Sequence, residues 1–211
     1  MKKVFTILIL SIAMFSFLKK QNNDIPSVWY RFESWLTKNA SHLTTELNAP
    51  VSEAEVVKLE QVIDGNLPKE YIEFLRIHNG QKYDSEGLID TEELLSTERI
   101  IEEWSVWKEL LDEDDFNDSQ SEPDKGIKSD WWNPKWIPIT YDGNGNHYCI
   151  DLDPSESGTS GQIIRMWHDS AERELIASSF KEWISDYVNN LEDGQYVYSE
   201  DWGGIINKDD L

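Results

Sequence analysis

Apolar residues in the first third of the chain recur at helical spacing. Trp29, Phe32, Trp35 and Leu36 fall on one face of a helix over 28–39, after a polar linker at 21–27. Ser52-Glu53-Ala54-Glu55 has the spacing of a capping box, and Val56, Leu59, Val62 and Ile63 follow as a second stripe. Leu67-Pro68 announces a third helix, because proline suits a first turn, where a missing donor loses no partner. Its stripe is Tyr71, Phe74, Leu75 and His78, and Asn79-Gly80 supplies a left-handed stop. Residues 87–90 read as a short strand. A fourth helix over 98–112 sets Ile100, Ile101, Trp104, Trp107 and Leu111 on one side. Beyond it the pattern changes: 136–141, 147–152 and 162–167 read as strands. Ser178 caps a last helix with Phe180, Trp183, Ile184, Tyr187, Val188 and Leu191 inward and Gly194 at its end. Helices, then a meander, then a helix predict an α+β fold rather than an alternating one.

Composition adds two constraints. The 211 residues are 39% hydrophobic, enough for one cored domain with an N-terminal appendage. Residues 4–18 are uncharged and flanked by lysines; as a helix they span roughly 22 Å, short of a bilayer core of about 30 Å. A membrane tether, an export signal and a buried helix all remain open for them. The expected division is 1–27 as apolar segment and linker, 28–194 as the domain with an acidic insertion near 112–130, and 195–211 as a C-terminal tail. Net charge is −22, and the first twenty residues hold four lysines and no acid, so the rest carries −26. Such a surface repels nucleic acid and speeds encounters with basic partners. Cys149 is the single cysteine, which excludes an internal disulfide and a Cys-x-x-Cys pair.

Candidate chemistry is sparse. Residues 139–154 read ITYDGNGNHYCIDLDP. Counted from Asp142, Asn144, Asn146 and Asp153 fall at calcium-loop positions. However, His147 stands where the sharp turn needs glycine, and the flanks alternate as strands. Asp-Gly and Asn-Gly are strong hairpin signals, so a plain turn is expected. There is no Gly-x-Ser-x-Gly elbow, and Cys149 falls within a strand as a buried thiol. His168-Asp169 is a weak base-orienter pair. The four histidines lack metal-ligand spacing, and Gly143-x-Gly145 lacks the rest of a phosphate loop. No catalytic, cofactor or metal residue is assigned. Trp131-Trp132, beside the acidic loop, forms a candidate aromatic anchor with a negative rim.

The stretch NLPKEYIEFLRIHNG at 66–80 resembles the N-terminal helix motif of the Smi/Knr cell-wall-assembly-regulator domain of the SUKH superfamily. Trp136-Ile-Pro-Ile, Asp142-Gly-Asn-Gly-Asn, Cys149-Ile-Asp-Leu-Asp-Pro, Trp167-His168 and a closing helix with Phe180 and Trp183 are similar to its second half. The resemblance implies an α+β domain, an antiparallel meander with helices packed on one side, that binds proteins without catalysis. Bacterial members are largely immunity proteins against polymorphic toxins; fungal relatives act in signalling to cell-wall synthesis. The expected function is therefore an immunity protein that neutralises a basic toxin domain, such as a nuclease. Its expected contact residues are Asp112, Glu113, Asp114, Asp115, Trp131 and Trp132. The alternative is a membrane-tethered regulator of cell-wall or envelope assembly. The expected location is cytoplasmic, with residues 4–18 as the candidate anchor.

Overall fold

The computed structural model describes residues 23–211, which contain five α-helices and nine strands. The first helix, α1 (Ile25–Asn39), begins inside the expected linker. Asp24 caps it by accepting from the Ser27 amide at 2.9 Å, and Pro26 occupies the first turn. In α2 (Glu53–Val62) the capping box is complete: the Ser52 hydroxyl accepts from the Glu55 amide, and the Glu55 carboxylate accepts from the Ser52 amide. Pro68 stands at the N-cap of α3 (Lys69–Leu75), which ends before Asn79-Gly80. Gly80 still takes a left-handed φ of 63°, and its lack of a Cβ matters, since one would stand 2.4 Å from the Leu95 carbonyl oxygen. The fourth helix, α4 (Thr97–Asp112), buries Ile100, Trp104 and Trp107. All six expected inward residues of α5 (Phe180–Glu192) are buried. Its N-cap is Ser179 rather than Ser178, whose hydroxyl instead bonds the Glu182 carboxylate.

β1 (Glu93–Leu94) pairs antiparallel with β4 (Thr140–Tyr141). The main sheet has the order β2-β7-β6-β5-β3. It is formed by β2 (Glu122–Pro123), β3 (Trp136–Pro138), β5 (His147–Asp151), β6 (Gln162–Met166) and β7 (Glu172–Ala177). β3, β5, β6 and β7 pair antiparallel, while β2 runs parallel to β7. This is the expected α+β class. The core is aromatic where α1, α3 and α5 meet. Trp29 stacks on Phe74 at 4.4 Å and donates its indole N–H to the Phe74 carbonyl, and Phe180 sits 4.8 Å from Tyr71 and 5.0 Å from Phe74. Each such side chain contributes about 1.5–3 kcal/mol through burial.

Three expectations need correction. Residues 87–90 form no regular strand; they make isolated bridges, Gly87 with Gly204 and Ile89 with Glu92, because Asp90 and Thr91 both take positive φ. Residues 195–211, expected as a tail, carry a hairpin of β8 (Tyr196–Ser199) and β9 (Gly204–Asn207). Among the described residues no helix is long and apolar enough to cross a membrane. Residues 4–18 lie outside the described residues, so the expected anchor has no support and is withdrawn.

Candidate interaction site

The hairpin between β4 and β5 explains the calcium-like stretch. Gly143 and Gly145 take φ of 86° and 102°. The Asp142 carboxylate accepts from the Asn144 amide (2.8 Å), the Asn146 amide (3.0 Å) and the Asn146 side-chain amide (2.6 Å). Desolvation raises its pKa, but these three donors together outweigh it and hold the carboxyl below the usual range. The oxygens that would face a cation thus organise the turn instead, and Asp153 is engaged elsewhere by Lys128 at 2.6 Å. Asn146 ties the turn to the next hairpin by accepting from the His168 amide and ring. No cluster of His, Cys, Asp and Glu among the described residues could hold a metal ion.

Behind this turn lies a buried polar cluster. Glu92 accepts from the Arg165 guanidinium and the Thr140 hydroxyl, each at 2.6 Å. Arg165 lies between the rings of Tyr148 and Trp167, 4.6 and 4.2 Å from their centroids. Burial raises the Glu92 pKa to about 7 although Arg165 and Thr140 pull it down. His147 donates from Nδ1 to the Thr140 carbonyl (2.7 Å) and accepts at Nε2 from the Trp107 indole (3.1 Å). Desolvation lowers its pKa to about 4, so the ring is neutral and its tautomer fixed. The Cys149 thiol is fully buried and pushed up by desolvation, which makes it inert. His168 and Asp169 stand 3.7 Å apart at the exposed end of β6, with no nucleophile between them. Sequence spacing carried no signal for the Glu92–Arg165 pair, whose members lie 73 positions apart.

The six expected contact residues divide. Asp112, Glu113, Asp114 and Asp115 are exposed at the C-terminal end of α4, where Lys108 pairs with Asp112. Trp132 is buried: its ring stacks on Trp107 at 6.3 Å and meets Trp104 edge-on at 6.1 Å. It therefore presents no contact surface. Trp131 is half-buried, with the Arg173 guanidinium 4.9 Å from its ring centroid. Arg173 itself is fully buried, and its pKa is lowered to about 10 by desolvation. It donates to the carbonyls of Trp131, Ser170 and Glu172. That clamp fixes the 131–134 turn beside the edge of the sheet.

A family model described as the SMI1 / KNR4 family (SUKH-1) matches residues 50–186. The chain is 27% identical over 187 residues to the cell wall biosynthesis/cell cycle regulator smi1 of Schizosaccharomyces pombe, covering 82% of this chain and 37% of that protein. It is 24% identical over 213 residues to the glucan synthesis regulatory protein of Neurospora crassa, covering 84% of this chain and 40% of the relative. Against the cell wall assembly regulator SMI1 of Saccharomyces cerevisiae it is 22% identical over 226 residues, covering 88% and 45%. The chain spans about two fifths of the length of these curated relatives. All three are named as regulators and none as an enzyme. Those names overturn the expectation of a toxin-neutralising immunity protein and favour the regulatory alternative. With a match across well over half of its residues, the chain belongs to the SMI1 / KNR4 family (SUKH-1).

Proposed function

We propose that this chain is a non-enzymatic regulator of cell-wall or glucan assembly that acts by binding a protein partner. The family match over 50–186, with relatives named as regulators of wall and glucan synthesis, carries this reading. The groups with latent reactivity support it. The Cys149 thiol is buried, His147 is held neutral between Thr140 and Trp107, and the Asp142 carboxylate is spent on its own turn. We assign a partner contact to Asp112, Glu113, Asp114 and Asp115, with Trp131 as the neighbouring aromatic. Four exposed carboxylates in a row favour a basic protein surface and steer its approach.

Deletion of the gene in its source organism is expected to change wall glucan content and sensitivity to wall-binding dyes. The intact chain should restore both, and a variant with D112N, E113Q, D114N and D115N together should restore them only in part. An unaltered wall in the deletion strain, or turnover of a glucan precursor by the purified chain, would overturn the reading.

A further inference from the structure

The C-terminal hairpin leaves one strand edge open. Ile205 gives both its backbone groups to the 87–91 segment: its amide donates to the Gly87 carbonyl (2.9 Å), and its carbonyl accepts from the Thr91 amide (2.6 Å). The Asn207 amide likewise turns to the Asp90 carboxylate at 3.1 Å. In an antiparallel ladder, hydrogen-bonded and non-hydrogen-bonded pairs alternate. Tyr198 faces Ile205 and Tyr196 faces Asn207, so both belong to non-bonded pairs. Their amides and carbonyls therefore point away from β9. The bond from the Lys208 amide to the Gln195 carbonyl (2.8 Å) has the same phase. Among the described residues no third strand lies on that side of the two-stranded sheet. Unpaired backbone groups along such an edge are a template for another chain.

This edge borders a groove of about 510 Å³. Ser34, Trp35 and Lys38 of α1 line it, with Leu191 and Gly194 at the end of α5, and β8 contributes Tyr196, Val197 and Tyr198. A strand edge facing a helix across a groove is suited to capturing an extended peptide by strand addition. The four residues of β8 match a peptide stretch of roughly 13 Å. Charge narrows the occupant further. Arg31 in the groove is neutralised by Glu192. Among the described residues Lys38 has no ion pair, and neither does Lys208, which stands beside the groove, its ammonium 3.5 Å from where a Cβ on Gly194 would be. Both place positive charge at the groove, where the one lining carboxylate, Glu192, is already held by Arg31.

We infer that the groove between α1 and β8 binds an extended acidic segment of a partner protein, which adds as a third strand along Tyr196 and Tyr198. The inference rests on the reading of the chain as a protein-binding regulator, and its surface is apart from Asp112–Asp115.

The test is selection of a displayed library of random twelve-residue peptides on the full chain, followed by fluorescence anisotropy with the enriched peptides. Enriched peptides should carry Asp or Glu, and Lys38→Glu should weaken them about fivefold. Tyr198→Pro removes the outward amide together with the ring that meets His42 and Glu86 and should weaken binding about tenfold, whereas Tyr198→Ala removes that ring alone and should have the smaller effect. As a check independent of folding, the peptides N-methylated at alternate amides should lose binding to the unaltered chain in one phase and keep it in the other. The D112N, E113Q, D114N and D115N variant should bind them unchanged. Enrichment of basic peptides, no enrichment, tolerance of N-methylation in both phases, or a dimer that Tyr198→Pro dissolves would each overturn the inference. Peptide binding beside an unaltered wall in the deletion strain would sink the regulator reading and leave the groove standing; a changed wall without peptide binding would do the opposite.

Discussion

His147 gives the molecule an acid limb. Its folded pKa of about 4 lies below the unfolded 6.5, so the unfolded chain is the better proton acceptor between them. Stability from the neutral ring is whole above pH 6.5 and is lost as pH falls toward 4, by about 3 kcal/mol in full. Glu92 runs the other way. Its folded pKa of about 7 lies above 4.5, so its contribution is whole below pH 4.5 and is lost as pH rises through 7. The two oppose each other in the shared window. In His147→Gln the acid limb should flatten and the fall toward neutral pH steepen in urea titrations; an unchanged profile would remove His147 as the source. Tyr71 offers a second measurement. Its hydroxyl is fully buried with no hydrogen-bond partner among the described residues. Tyr71→Phe should therefore stabilise the fold by about 1 kcal/mol, read as a higher midpoint at constant slope.

Helices were legible from sequence because period and caps agreed, as in Ser52–Glu55 and the six inward residues of α5. Several strands escaped, among them β1, β2, β7 and the β8–β9 hairpin. β7, with the sequence ERELIA, does not alternate, since a bulge between Ile163 and Ile164 shifts its register and most of its side chains are exposed. The β8–β9 hairpin has short strands and a polar loop tipped by exposed Trp202. What fixes it is a contact between distant glycines, invisible to local pattern. A Cβ on Gly204 would stand 2.4 Å from the Gly87 carbonyl oxygen, and one on Gly87 would stand 2.1 Å from Thr91 backbone atoms. Gly143 also has positive φ, but a Cβ there would meet nothing within 4 Å. Gly143→Ala should thus cost about 1 kcal/mol. Gly204→Ala should cost several times as much and raise amide exchange along 87–91 and 196–207. Equal effects would mean that the crossing is not close-packed.

At the scale of the whole molecule, charge was legible and its arrangement was not. The count gave −22, but not that Trp132 is buried between Trp104 and Trp107, nor that Lys38 and Lys208 gather at one groove. Like charges repel within the folded body, and salt screens them. Raising ionic strength from about 10 to about 150 mM shortens the Debye length from roughly 30 to roughly 8 Å and should raise the melting temperature by a few degrees. A melting point that falls with salt would show that the ion pairs, such as Arg99 with Glu93 and Glu103, outweigh the repulsion.

The Asn207 amide reaches Asp90 across 117 positions, and Ile205 bonds both ends of the same loop, at Gly87 and Thr91. During synthesis the ribosome delivers the loop long before the strand that clasps it. The 87–91 loop must wait, its two left-handed residues unsupported, until β9 emerges and closes over it. Nascent chains stalled short of residue 204 should be cleaved by protease near 87–91, while chains that have released β9 resist.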